Sequence, residues 1–159
     1  MSKKQGLYLG RAGHLVVMAD FLLRGWNAAI PEVDVGDDIY VVEDGNGSLK
    51  QVQVKTVSAK HHKDGIGFSA RYTLKADQLR APATQLFFVF LVRLTSSWSD
   101  PIIISKSDLV NEFIPLGGIP VAAKSLNVTL VFRSRRVSFR SSDWSKRTKD
   151  YAQFPIILH

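Results

Sequence analysis

An acid, an amide and a lysine stand where one β-hairpin would gather them. Asp38 precedes the strand-forming run Ile39-Tyr40-Val41-Val42, and Gln53 and Lys55 lie in the returning run from Leu49 to Thr56. Between the two runs, Glu43-Asp44-Gly45-Asn46-Gly47-Ser48 is the clearest turn signal in the chain. Asn-Gly suits a two-residue turn, because both central residues need positive φ. With that turn Asp38 pairs with Lys55 and Tyr40 with Gln53, and all four side chains leave one face. A four-residue loop instead sets Asp38 opposite Gln53, again on that face. A three-residue loop breaks the alignment unless a bulge restores it. A second set of residues suits phosphate. Arg133-Ser134-Arg135-Arg136-Val137-Ser138-Phe139-Arg140 is densely basic, and Lys146, Arg147 and Lys149 follow it. Contacts from such a cluster to phosphates give affinity without sequence reading. The plainer role for it is a solvated basic edge that blocks sheet-to-sheet pairing. Lys60-His61-His62-Lys63 is a smaller basic loop, either solvated or touching a nucleic-acid backbone. Its two histidines fall short of the convergent ligands zinc requires.

The composition narrows the field. Lys and Arg outnumber Asp and Glu by 21 to 14, and the net charge of +7 favours a polyanionic partner, often nucleic acid. There is no cysteine, which excludes disulfides, thiolate zinc sites and a cysteine nucleophile, and fits a reducing compartment. No Gly-X-Ser-X-Gly elbow, P-loop or dinucleotide fingerprint is present. At 159 residues and 45% hydrophobic, the chain suits one domain, residues 1–159, with a substantial core. No uninterrupted apolar run approaches the ~18 residues of a membrane helix, and no signal peptide stands out. A cytoplasmic, soluble protein is expected.

These residues need elements to position them. Residues 11–24 read as an amphipathic helix, with Ala12, Leu15, Val16, Ala19, Leu22 and Leu23 as its apolar stripe and Gly25 as its stop. Trp26 to Pro31 is a connector. Val52, Val54 and Thr56 face one way from the returning strand, and Gln51, Gln53 and Lys55 the other. Residues 68–74 form a third strand, followed by a helical turn at 75–80. Leu86-Phe87-Phe88-Val89-Phe90-Leu91-Val92 is nearly all apolar, the pattern of a strand buried on both faces. Residues 101–105 form a strand, and Ser105 or Ser107 caps a short helix reaching Phe113. Residues 126–132 and 137–139 are strands around a basic turn. Ser142 or Asp143 opens a last short helix to Tyr151. Trp26, Trp98 and Trp144 serve as packing.

The stretch 11–56 resembles the active-site region of the PD-(D/E)XK nuclease superfamily. The likeness lies in a first helix ending at a glycine, Asp38 at a strand start, a hairpin, and Gln53-Val54-Lys55 in the place of the (D/E)XK tripeptide, in its Gln-X-Lys form. The later Ile102-Ile103-Ile104-Ser105 and short helix are similar as well. The resemblance implies an α/β, restriction-endonuclease-like core, a mixed central sheet flanked by helices. It implies a Mg²⁺-dependent (Mn²⁺ possible) DNA endonuclease that hydrolyses phosphodiesters and acts as a homodimer or higher homo-oligomer. Asp38, the Gln53 side chain and the Val54 carbonyl would be the metal ligands, and Lys55 would orient water or stabilise charge on the phosphate. Lys60, Lys63, Arg133, Arg135, Arg136 and Arg140 would hold the nucleic acid. One position departs: His14 follows Gly13 where the family carries a glutamate. Mg²⁺ prefers oxygen ligands, so a catalytically decayed module that binds nucleic acid or a protein partner is the alternative.

Overall fold

The computed structural model describes residues 3–32, 39–82 and 85–157. Helix α1 (Lys3–Leu23) opens the chain, followed by strands β1 (Asn27–Ala29), β2 (Ile39–Glu43) and β3 (Ser48–Ser58). Strands β4 (Lys60–His61) and β5 (Phe68–Lys75), helix α2 (Ala76–Arg80), and strands β6 (Leu86–Arg93) and β7 (Ile102–Ser105) come next. Helix α3 (Lys106–Asn111) precedes β8 (Ser125–Arg133), β9 (Arg136–Phe139) and β10 (Ser142–Asp143). The strands make two five-stranded sheets, ordered β1-β2-β3-β6-β7 and β10-β9-β8-β5-β4. In the first, β3 and β6 are parallel and the other pairs antiparallel. The expected α/β class and mixed central sheet therefore form.

Two cores explain the layering. Phe88, Phe90, Ile102 and Ile104 of the first sheet pack against Tyr72, Leu74, Val128, Leu130 and Phe139 of the second. Leu79 of α2 and Leu109 of α3 close the rim of that layer. On the other face, Phe87, Val89, Leu91, Val52 and Val54 meet Val17 and Phe21 of α1, together with Trp26 and Phe154. Strand β6 is thus covered on both faces, which accounts for its unbroken apolar run.

Helix α1 differs from the expected face. Gly13, Val17 and Phe21 are buried, whereas Leu15, Leu22 and Leu23 are exposed, Leu23 at 84%. The reason lies at Gly13. A β-carbon there would sit 2.0 Å from Thr56 Oγ1, so the helix rests on β3 through its least bulky residue. Residues Lys4–Leu23 are long and apolar enough to span a membrane by length and composition, with mean hydropathy 1.2.

Three further expectations change. The hairpin closes through four residues, since Glu43 pairs with Ser48. Gly47 takes the left-handed position at φ +69 and donates to the Glu43 carbonyl, while Asn46 Oδ1 accepts from the Ser48 amide at 2.8 Å. Asn46 thus spends its side chain inside the loop instead of serving a two-residue turn. Lys60 and His61 form a short edge strand rather than a loop. The helix expected from Ser142 or Asp143 is replaced by strand β10 and a single 3₁₀ turn, Ser145–Arg147. There Asp143 Oδ1 accepts from the Ser145 amide, and Ser145 Oγ accepts from the Val137 amide. These bonds tie the segment to β9.

Candidate functional site

Strand β3 is the middle strand of the mixed sheet. Its alternation is as expected. Val52 and Val54 enter the core shared with α1, and Thr56 meets Gly13. Gln53 pairs in register with Phe88 and Lys55 with Phe90, both members of the inter-sheet core. Gln53 and Lys55 therefore leave the sheet on the same side, towards the second sheet. Gln53 is only 4% exposed and Lys55 is half-buried. A buried amide on a central strand is uncommon, because its desolvation must be offset.

The hairpin register sets Tyr40 opposite Gln51 and Ile39 opposite Val52. This is the four-residue case, the one for which Asp38 was expected opposite Gln53. Asp38 itself lies outside the described residues. His14 follows Gly13, so the helix brings it to the level of Thr56 from the other face of the sheet. Its ring is half-buried.

The described oxygens suit a hard cation in kind: the Gln53 amide and the Val54 carbonyl are both neutral oxygen donors. Among the described residues, no group of three His, Cys, Asp or Glu gathers into a metal site. The negative charge of a Mg²⁺ site would have to come from Asp38, or from Asp34 or Asp37 near it in sequence, all outside the described residues.

The basic residues fall into place more openly. Lys60 pairs with Ser69, and Arg133 pairs with Arg136 across β8 and β9. Both pairs lie on the outer face of the second sheet. Lys63, Arg135 and Arg140 are exposed in the turns at its margins. Sequence reasoning missed Arg71 and Lys75. They alternate with buried Tyr72 and Leu74 along β5, a period-two signal present in the sequence. A hollow of about 480 Å³ beside this face is lined by Lys60, His61, Lys63, Asp64 and Arg133.

A separate cavity of about 510 Å³ opens where β6 begins and β7 ends, lined by Lys50, Phe87, Ile104, Lys106 and Arg147 among others. Burial lowers the pKa of both Lys50 and Lys106. Their ammonium groups donate to the Gln153 and Ala81 carbonyls. Arg147 is shared between Asp108 and Glu112. The cations of this cavity are thus occupied within the fold.

No protein-family model and no curated protein matches the chain. Among solved structures it is similar to a bacterial homing endonuclease, I-Ssp6803I, at 17% identity and a TM-score of 0.49, over 91% of this chain and 87% of that one.

Proposed function

We propose that the chain is a metal-dependent DNA endonuclease with its site on β3. The observation that carries this reading is Gln53, a buried amide on the central strand, with Lys55 two residues further on the same side. Burying an amide on a central strand carries a desolvation cost, and a hard-cation ligand set makes use of one. Asp38, Gln53 and the Val54 carbonyl would hold Mg²⁺ or Mn²⁺. The ion would supply a more acidic bound water and a polarised phosphodiester. Lys55 would stabilise charge developing on the phosphate or orient the attacking water. We read α1 as a helix packed on β3 through Gly13 in a cytoplasmic protein.

Two copies suit the cutting of two strands. The outward side of α1 carries Tyr8, Ala12, Leu15, Ala19 and Leu22, spaced four, three, four and three residues apart, the period of a helix-pairing seam.

The second reading, a decayed module that binds without cutting, is favoured by His14 in the glutamate position. A panel of linear, nicked, single-stranded and branched DNA separates the two, with Mg²⁺ or Mn²⁺ for cleavage and Ca²⁺ for binding alone. The expected result is metal-dependent cutting that falls at least about a hundredfold in Lys55→Ala. Cutting by Lys55→Ala at the wild-type rate overturns the site. Binding without any cutting supports the decayed module.

A further inference from the structure

The second sheet has one face against the core and one face bare. Along β5 the outward residues are Ser69, Arg71, Thr73 and Lys75, and along β8 they are Asn127, Thr129, Val131 and Arg133. Strand β9 adds Arg136 and Ser138, and β4 adds Lys60. Cations therefore flank a neutral polar centre. Arg71 pairs with Thr129, Thr73 with Asn127, and Lys75 with Ser125. The Thr73 hydroxyl donates to Asn127 Oδ1 at 3.1 Å. Among the described residues of this face, acids stand at the margins: Asp64 accepts from Arg133 at 2.9 Å, and Asp143 lies on β10.

Two features of this face work against the fold's own stability. Arg133 and Arg136 stand directly opposite each other, and like charges in that position repel. Ser134, between them, and Arg140, after β9, hold left-handed backbone at φ 55 and φ 53 without being glycine.

We infer that this face binds the phosphate backbone of double-stranded DNA. The inference rests on the nucleic-acid reading above. Strands about 4.8 Å apart set β5 and β9 about 10 Å apart, commensurate with a major groove about 12 Å wide. The outward residues include no aromatic ring. Single-stranded binders stack bases on such rings, so the face suits a duplex. Gln53 and Lys55 lie on the inner side of this sheet's core. Binding on the outer face is therefore read separately from cutting at β3.

The test is a fluorescence titration of the full chain with a labelled mixed-sequence duplex in Ca²⁺, across a range of salt. Arg71→Ala/Lys75→Ala and Arg133→Ala/Arg136→Ala are compared with Lys4→Ala/Arg11→Ala on α1, after circular dichroism has matched their folds. Each face variant is expected to bind at least tenfold more weakly, with a log–log salt slope shallower by about 2. The α1 variant is expected to bind as wild type. Wild-type affinity in both face variants overturns the inference, while metal-dependent cutting lost in Lys55→Ala would leave the nuclease reading standing. A preference for single strands or for duplex RNA also overturns it. A wild-type chain that binds no DNA overturns the face and the nucleic-acid reading together.

Discussion

Gly13 and Thr56 make a contact that a single methyl disturbs. A β-carbon at 13 meets Thr56 Oγ1 at 2.0 Å and its Cβ at 3.0 Å. Gly13→Ala is expected to destabilise the fold by about 1–3 kcal/mol in urea unfolding, as overpacking usually does. Gly13→Ala/Thr56→Ala should lose less than the two single variants together. Tyr72 is a second sensitive residue. Its hydroxyl donates to the Leu91 carbonyl at 3.2 Å inside the core, and burial raises its pKa well above the usual tyrosine value. Burial, then the hydrogen bond to Asp20, also raises Tyr151. The unfolded chain ionises these groups near pH ~10 while the folded chain keeps their protons. Their contribution is therefore whole below about pH 10 and is lost as pH rises beyond it. Urea midpoints at pH 8 and pH 10.5 should fall further for wild type than for Tyr72→Phe, which costs about 1 kcal/mol at the lower pH. At this scale Gln53, Lys55 and the arginines of 133–140 were legible, because type and spacing alone mark them. Arg71 and Lys75 went unread because nothing but alternation distinguishes them from ordinary surface residues.

Among the elements, the strands were read best where their burial is complete. β6 announces itself because both of its faces are covered, and β2 and β3 because the turn between them is unmistakable. Helix α1 was read on the wrong face for a physical reason. Apolar residues surround it, and the side that enters the core is marked by Gly13, whose closeness to β3 comes from having no side chain at all. Its outer seam gives a direct test: Leu15→Glu should leave the fold intact and shift sedimentation from dimer to monomer. A monomeric wild type would refute the seam as an interface. The segment 142–147 was misread because Ser145 and Asp143 bond backbone amides in a turn as readily as they cap a helix. Ser105 is the counter-example, a cap that does form: its hydroxyl accepts from the Asp108 amide at 3.1 Å. Ser105→Ala should cost about 1 kcal/mol of stability by thermal unfolding.

The molecule as a whole has three layers: α1, the mixed sheet and the antiparallel sheet. The second sheet could not be foretold, since β4 and β10 are two residues each and β5 pairs with β8 across some 55 residues of chain. The first layer is completed from far away. Phe154 lies against the rings of Phe21, Trp26 and Phe87. The Trp26 indole donates to the Pro155 carbonyl at 2.8 Å, and the Ile157 amide donates to that of Arg24 at 2.9 Å. Phe154→Ala should cost about 3–5 kcal/mol in urea unfolding. This clasp also dictates a sequence in time. On the ribosome α1 emerges well before residues 151–157, and its inner side has no finished seat until they have left the exit tunnel. Throughout synthesis the helix is a greasy surface awaiting closure, so chaperone capture and proteolysis of nascent chains should cease only when that segment docks.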